Sequence, residues 1–587
     1  MSTVAAIFYI QKSVEITVKS EWMYRGNKLL LLPVGFLLVL LVCQCKSRHT
    51  ARAVKQKEIV KKPEEIDDLI SDNIRNVLEY AAENNGRIGD SMTLRLRNVD
   101  SAFYEKNEYH NFWSVKEKWV PLADSMRAFI HECKYYGLYP SDYHSAELDT
   151  LEGRIAADSL SRKDAVVWTR ADLLLTDAFM SALRDLREGR LVPDSASMTL
   201  KPLYIDSFFV PDLVQSKDRS LTTLFTSLEP SNERYQVLRQ HLKDFVDSMD
   251  TTHFLHVDYP PGDTLTFLKQ LQERLAQAHI NTGDDPYPDS VALSQEIREY
   301  EKMHKMKKDG KLSQSIIDRL NSNDNEKFRR IAITLDRYKL LPDSLPEKYI
   351  WVNLPSYYLE VTDSDSVVIR SKIIIGKPLT PTPQLTSRIT DMITYPQWTI
   401  PESIIKKEVL PGLKKDPNYL AKKGYNLIDS KGQVVDPTPI KWSRYKTGIP
   451  WKVMQGSGDD NALGIFKFNF SNPYSVYLHD TNQRYLFGDT KRALSHGCVR
   501  VQQWEKLAFF IAENDSARNT STKPLPYGVD SIRTWLTGKV KKTMYVRNRL
   551  PLFIEYMTCE YRNGHYVFYD DIYASDQALA DKYFANK

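Results

Sequence analysis

The apolar positions of the chain change their spacing several times, and each change marks a different kind of segment. Leu29–Val42 (LLLLPVGFLLVLLV) is apolar throughout apart from Pro33 and Gly35. It falls short of the roughly 20 residues a helix needs to span a bilayer. With Arg25 and Lys28 ahead of it, it has the form of an export-signal core. Residues 46–63 are basic and polar and predict a tether. From 64 to about 250 the period is mostly helical. In Asp164–Gly189 the residues Trp168, Ala171, Leu175, Phe179, Ala182 and Leu186 recur at three- and four-residue steps, and Gly189 and Pro193 predict the stop. Turn signals at Pro260-Pro261-Gly262-Asp263 and Gly283-Asp284-Asp285-Pro286 precede a compact unit at 287–321. There an amphipathic run at Val291–Met306, an Asp309-Gly310 turn and a short helix at Ser313–Leu320 follow one another.

After Leu341-Pro342 the period becomes that of strands. Tyr349–Val352, Tyr357–Val361, Val367–Ile375, Asp391–Thr394, Ile465–Phe470 and Val476–Leu478 are β-branched or aromatic runs broken by Pro, Gly and Asp. Trp398–Tyr425 reverts to helix and loop and predicts an insertion over a β core. Arg547–Tyr569 predicts two strands joined at Asn563-Gly564, a dipeptide suited to a two-residue hairpin turn.

Composition narrows the function classes. The 587 residues are 42% hydrophobic and 26% charged, values of a soluble globular protein with room for two to four domains. A net charge of +5, with no phosphate-binding glycine motif and no basic run interleaved with aromatics, argues against nucleotide and nucleic-acid partners. The 33 Tyr and 10 Trp suit grooves for extended polar substrates, and equally suit Tyr-rich β structure. Cys43 and Cys45 close the apolar run and are candidates for lipidation, although neither follows a small residue. A lipid anchor, a membrane anchor and a cleaved soluble form all stay open, and Met23 is an alternative start. Either way the body is expected in an oxidising compartment. His131 and Cys133 predict helix-face packing.

Chemistry concentrates in Ser495-His496-Gly497-Cys498-Val499-Arg500, with Tyr477-Leu478-His479-Asp480 upstream. A thiolate nucleophile needs a base or cation beside it near neutral pH. His479, nineteen residues before Cys498, returns to it if Thr481–Asp489 forms a loop. Gly497 permits a close backbone approach, amides beside the Cys offer an oxyanion hole, and Arg500 offers a clamp for a carboxylate. A thiol met alone is usually an inert buried group; the whole constellation is what points to catalysis. A zinc site from His479, His496 and Cys498 lacks a fourth ligand. Papain-like enzymes place Cys before His, the reverse of the order here.

This pattern resembles the catalytic motif of L,D-transpeptidases of the YkuD type, and over roughly 64–570 the chain resembles the large YcbB-like members. The resemblance implies Cys498 as nucleophile, His479 as base, and the Asp480 backbone carbonyl as the group orienting the imidazole. It implies that Arg500 and Ser495 support the site and bind substrate. Tyr477 is a pocket wall and His496 a position where His or Ser is accepted. The implied reaction takes peptidoglycan stem peptides, releases D-alanine and forms a 3→3 cross-link, with no metal or cofactor; carbapenems acylate the same cysteine. Family members that hydrolyse stems or attach proteins to the wall share the motif, and a non-catalytic wall-binding scaffold is a third reading. Contact with glycan chains and a membrane through the N-terminal anchor are the other expected partners, in the cell envelope or periplasm of a bacterium.

The expected fold is a multidomain α+β protein. Residues 1–45 form an export signal or anchor, 46–63 a tether, 64–285 a helical scaffold and 287–321 a peptidoglycan-binding-like module. Residues 348–540 form a mostly antiparallel β catalytic domain with a capping insertion centred on 398–425, and 541–587 a C-terminal hairpin extension.

Overall fold

The computed structural model of the chain describes residues 55–584, except 90–91, 192–219, 253, 260, 305, 307 and 520–524. The apolar run at 29–42, Met23, Cys43, Cys45 and Pro193 lie outside the described residues. Among the described residues no helix is long and apolar enough to cross a membrane.

The N-terminal half is helical. Helix α1 (Ile66–Glu83) packs on α2 (Ala165–Arg187), which starts at an Asp164 side chain accepting from the Val166 N–H and ends before Gly189 in a left-handed conformation. The sequence predicts one apolar stripe on α2, but nearly every side chain from Ala165 to Leu186 is buried. Helices pack around it on several sides, so its polar residues need internal partners. Asp172 accepts from the Tyr104 hydroxyl and from the Phe112 and Trp113 amides, and Asp185 pairs with Arg95. Cys133 is buried as expected, whereas His131 lies at the surface beside Asp149.

Helices α3 (Thr264–Gln277), α4 (Ser290–Met303) and α5 (Gln314–Asn321) enclose a small core of their own, including Phe267, Leu271, Leu275, Ile297, Tyr300 and Leu320. The boundary expected near 287 therefore cuts through a unit. Its first helix lies upstream of the Asp-Pro turn, and sequence period does not say which neighbouring helices share a core.

The β half is built on strands β1 (Lys348–Asn353), β2 (Tyr358–Asp363), β3 (Ser366–Gly376), β4 (Leu385–Thr394), β5 (Phe466–Phe470), β6 (Leu478–His479), β7 (Ala493–Ser495), β8 (Val499–Val501), β9 (Lys542–Tyr545) and β10 (Pro551–Glu555). Among the described residues their pairings run β5-β6-β8-β3-β2-β1-β10-β4 and return to β5, a closed circuit, with β9 on β4 and β7 on β3. Most pairs are antiparallel, as expected; β6–β8, β1–β10 and β7–β3 are parallel. The domain boundary expected at 540 does not hold, because β10 lies between β1 and β4 and completes the circuit. What remains beyond it is the hairpin Cys559–Arg562 and His565–Phe568, turning on Asn563 and Gly564 with positive φ at both, and the helix Ser575–Tyr583.

Both faces of β1 are covered, so the strand reads as continuously apolar. Ile350 and Val352 face a core shared with α7 (Trp504–Ala517), where Leu507, Ala508 and Ile511 pack. Tyr349 and Trp351 face the opposite way, against Tyr235 and Leu238 of the scaffold and Phe328 and Ile331 of α6 (Asp324–Lys339). This second cluster joins the helical half to the sheet. Cys559 belongs to it; both Cys559 and Cys133 are free, buried thiols pushed well up by burial.

Between β4 and β5 the chain leaves the sheet and builds a cap over 398–455. Strand segments Trp398–Thr399, Lys452–Gln455, Tyr425–Ile428 and Val434–Val435 pair antiparallel over a core including Ile400, Leu410, Leu413, Leu427, Trp442 and Val453. The cap thus extends well beyond the helical 398–425 segment visible in sequence, since its later strands are short and polar on one face.

Candidate active site

Three adjacent strands form the floor of the site. On β5, β6 and β8 the alternate residues Phe466, Phe468, Leu478, Val499 and Val501 face the core. Lys467, Tyr477, His479, Cys498 and Arg500 therefore share the opposite face. The parallel register of β6 and β8 pairs His479 with Arg500, and the Val499 amide donates to the Tyr477 carbonyl, so Tyr477 lies beside Cys498. Cys498 and His479 are diagonal neighbours on one face. On the other side of β6, Lys467 pairs with His479.

The charge states follow from burial. His479 is 4% exposed, and burial with the nearby Arg500 and Lys467 cations lowers its pKa to about 3. The backbones of Asp480 and Leu463 oppose that shift, yet Nδ1 closes no hydrogen bond. Burial raises the Cys498 thiol, while the Tyr477 backbone and hydroxyl and the cations Lys467 and Arg500 pull it down. The resting pair is therefore neutral thiol beside neutral imidazole. The Asp480 carboxylate is turned away from the imidazole. It accepts from Arg484 Nε at 3.0 Å and from the Ile465 amide at 3.1 Å. Gly464, at φ +64, makes room for it, since a Cβ there would stand 2.3 Å from Asp480 Oδ2.

The turn between β7 and β8 is braced from within. Gly497 has φ +118, a conformation that residues with a Cβ avoid. Ser495 Oγ donates to the Cys498 carbonyl at 2.6 Å and accepts from the Gly497 amide at 3.1 Å. Thr382 Oγ1 donates to the Gly497 carbonyl at 2.8 Å. Ser495, expected among the substrate-binding residues, is thus a buried brace with its hydroxyl already committed. The same bonds narrow the expected oxyanion hole. The amides of Gly497 and Val499 are engaged, and among the described residues that of Cys498 makes no hydrogen bond.

Arg500 is a second cation on this face. Its Nη1 donates to Gln483 Oε1 at 3.0 Å, its buried Nε has no partner, and no carboxylate among the described residues pairs with it. His496 is exposed and pairs with Glu408, which lies in a π-helical turn of the cap. The indole of Trp398, also from the cap, acts on the Tyr477 hydroxyl, although its Nε1 closes no full hydrogen bond. The eight candidate site residues between Tyr477 and Arg500 are therefore brought together, while Cys43 and Cys45 lie outside the described residues. Lys467, Thr382, Trp398 and Glu408 are additions that sequence reading missed. For Lys467 a signal exists, because Phe466, Phe468 and Phe470 alternate with it.

A thiol, a neutral imidazole, a phenol and two cations on one sheet face, under a cap, are the groups an acyl-transfer site uses. Comparison with known families gives the class. Residues 347–569 match the YkuD family, the L,D-transpeptidase catalytic domain, and residues 101–242 match the Scaffold domain. The chain therefore carries a region that matches an L,D-transpeptidase catalytic domain and, ahead of it, one that matches a scaffold domain. A curated Haemophilus influenzae protein named "Putative L,D-transpeptidase" is 33% identical over 258 residues, 44% of this chain and 50% of that protein. The chain thus spans about half the length of that relative. Among solved structures, an L,D-transpeptidase from Mycobacterium smegmatis is 13% identical, covering 36% of this chain and 60% of its own at a TM-score of 0.17. Mycobacterium tuberculosis L,D-transpeptidase 1 is 12% identical, covering 36% and 63% at a TM-score of 0.12. Overlaps this slight add nothing to the domain match.

The depressed His479 has a pH signature. Chemistry that needs the neutral ring is expected to persist well below pH 6.5, with its acid limb at about pH 3. Single-turnover acylation of Cys498 from pH 8 downward measures this, and half-loss near 6.5 would contradict the buried neutral ring. The same group makes the fold less stable in acid. The unfolded chain binds a proton at His479 below about 6.5 and the folded one does not. Its contribution is therefore complete above 6.5 and is lost as pH falls toward 3.

Proposed function

We propose that this protein is a cysteine-dependent L,D-transpeptidase that forms 3→3 cross-links between peptidoglycan stem peptides. The observation that carries the reading is Cys498 and His479 on one face of parallel strands within a matched L,D-transpeptidase domain. In this reading His479 takes the thiol proton as the sulfur attacks the carbonyl carbon of the third residue of a tetrapeptide donor. The amide bond to the terminal D-alanine breaks, and the D-alanine amine leaves with that proton. The thioester is then attacked by the side-chain amine of another stem's third residue, which forms the cross-link and frees the thiol. Arg500 binds a donor carboxylate, and the Cys498 amide stabilises the oxyanion. Carbapenems acylate the same sulfur.

The apolar run ending in Cys43 and Cys45 supports placing the enzyme in a bacterial cell envelope, on a lipid or membrane anchor, with the body in the periplasm. The three-helix unit supplies the contact with glycan chains. The test is incubation of the purified full chain with disaccharide-tetrapeptide, followed by mass spectrometry. A 3→3 dimer with one D-alanine released per cross-link is expected. Tripeptide alone would make the enzyme a hydrolase, and unchanged tetrapeptide would leave a wall-binding scaffold.

A further inference from the structure

Lys467 is a half-buried cation that the reaction above leaves without a task. It lies on β5 directly across from His479, on the face that holds Cys498. Its Nζ stands 3.8 Å from the centre of the Tyr477 ring, within the range of a strong cation–π contact. No ion pair or hydrogen bond holds that ammonium among the described residues. Asp391, the acid behind it, accepts instead from Asn469 at 2.6 Å and Thr390 at 2.8 Å. Lysines inside a protein are normally paired. This one has a ring and a thiol for neighbours.

We propose that Lys467 is a positioning residue for the acyl transfer: clamped on the Tyr477 ring, it holds the phenol against the Cys498 sulfur and supplies the positive charge that favours a thiolate there. This rests on the reading of Cys498 as nucleophile. The groups that act on the sulfur are Lys467 from β5, Tyr477 just ahead of β6 and Arg500 from β8, with His479 diagonal to it on the same face and Trp398 reaching Tyr477 from the cap. Arg500 shares its charge with Gln483 and Thr481, so Lys467 is the cation less committed to other groups. Its charge weakens proton binding at both groups, so it helps the sulfur and not the proton's transfer to the ring. It disfavours an imidazolium at His479 and favours a thiolate at Cys498, so it lowers the cost of leaving the sulfur charged once its proton has gone.

The test is the pH dependence of Cys498 alkylation by iodoacetamide in the full chain, read site by site by peptide mass spectrometry. Lys467→Met is expected to move the midpoint up by about one pH unit, a tenfold loss of thiolate at pH 8. Lys467→Arg is expected to restore it. An unchanged midpoint in Lys467→Met overturns the proposal, as does a shift that Lys467→Arg fails to reverse. If Lys467→Met does not melt like the wild type, Lys467→Gln is measured in its place against the same two criteria. The readout needs no peptidoglycan. A shifted midpoint in a chain that makes no cross-link removes the proposed function and leaves this role; cross-linking with an unshifted midpoint does the reverse.

Discussion

Cys498→Ala is expected to abolish the 3→3 dimer, a loss of about 10⁴-fold or more, while the protein keeps its circular dichroism and melting behaviour. The fold does not rest on this side chain. Cys498 is half-buried on the outer face of β8, and the turn before it is held by Ser495, Gly497 and Thr382. The chemistry, by contrast, has no second exposed thiol among the described residues, since Cys133 and Cys559 are buried in packed cores. His479→Gln is expected to fall by about 10²–10⁴-fold, the usual scale for a general base. Because the two residues act as a unit, the double variant is expected to be no worse than Cys498→Ala alone. Intact-mass measurement after carbapenem treatment gives an independent reading: one adduct on wild type and none on Cys498→Ala. A stable adduct on the Cys498→Ala protein, or a retained dimer, would remove Cys498 from the nucleophile role.

Trp351→Ala is expected to cost about 3–5 kcal/mol, the range for truncating a fully buried large aromatic. Trp351 is 1% exposed at the junction of the two halves. Its ring stacks on Tyr338 of α6 at 6.1 Å, meets Phe553 of β10 at 6.1 Å, and carries the Arg234 guanidinium 4.8 Å above its face. Arg234 comes from the scaffold and also binds Glu360 of β2 at 3.0 Å, so removing the indole loosens an ion pair besides leaving a cavity. Urea unfolding followed by circular dichroism measures the loss, and limited proteolysis should show cleavage between scaffold and sheet. A cost below about 1 kcal/mol, the level of an ordinary substitution, would mean that the halves are joined elsewhere. Trp351→Phe is expected to lie between the two.

Much of the β half was legible because strands with one covered face alternate. The Phe466, Phe468 and Phe470 side of β5, the β3 run and the Asn563-Gly564 hairpin all stand close to where pattern puts them. The motif residues stand out in the sequence because their chemistry is unusual in combination, and the strands set them on one face. What sequence does not carry is partnership over distance. Nothing local says that β6 runs parallel to β8, yet that register is what sets Tyr477 beside Cys498 and His479 beside Arg500. Lys467 reads as the solvent side of an alternating strand, and so it is, except that this solvent side is the floor of the site. Glu408 and Trp398 become site residues only because the cap folds back over the sheet. The misplaced boundaries at 287 and 540 have the same origin, since both units take in an element from across a turn or from far along the chain.

The circuit of strands has a consequence for how the chain is made. Its last stave, β10, is synthesised about two hundred residues after β1 and over 150 after β4, the strands it must separate. Until residue 555 is available, β1 presents an unpaired edge and β4 lacks its partner along Leu385–Arg388, beside a large apolar core, the condition under which partly made sheets join to one another. The helical half has no such dependence for α1 and α2, which lie early in the chain and pack on each other. A nascent chain therefore carries a folded handle and an open sheet at the same time. Expression designs that end before β10 should precipitate, whereas those that keep it should tolerate a tag beyond the final helix.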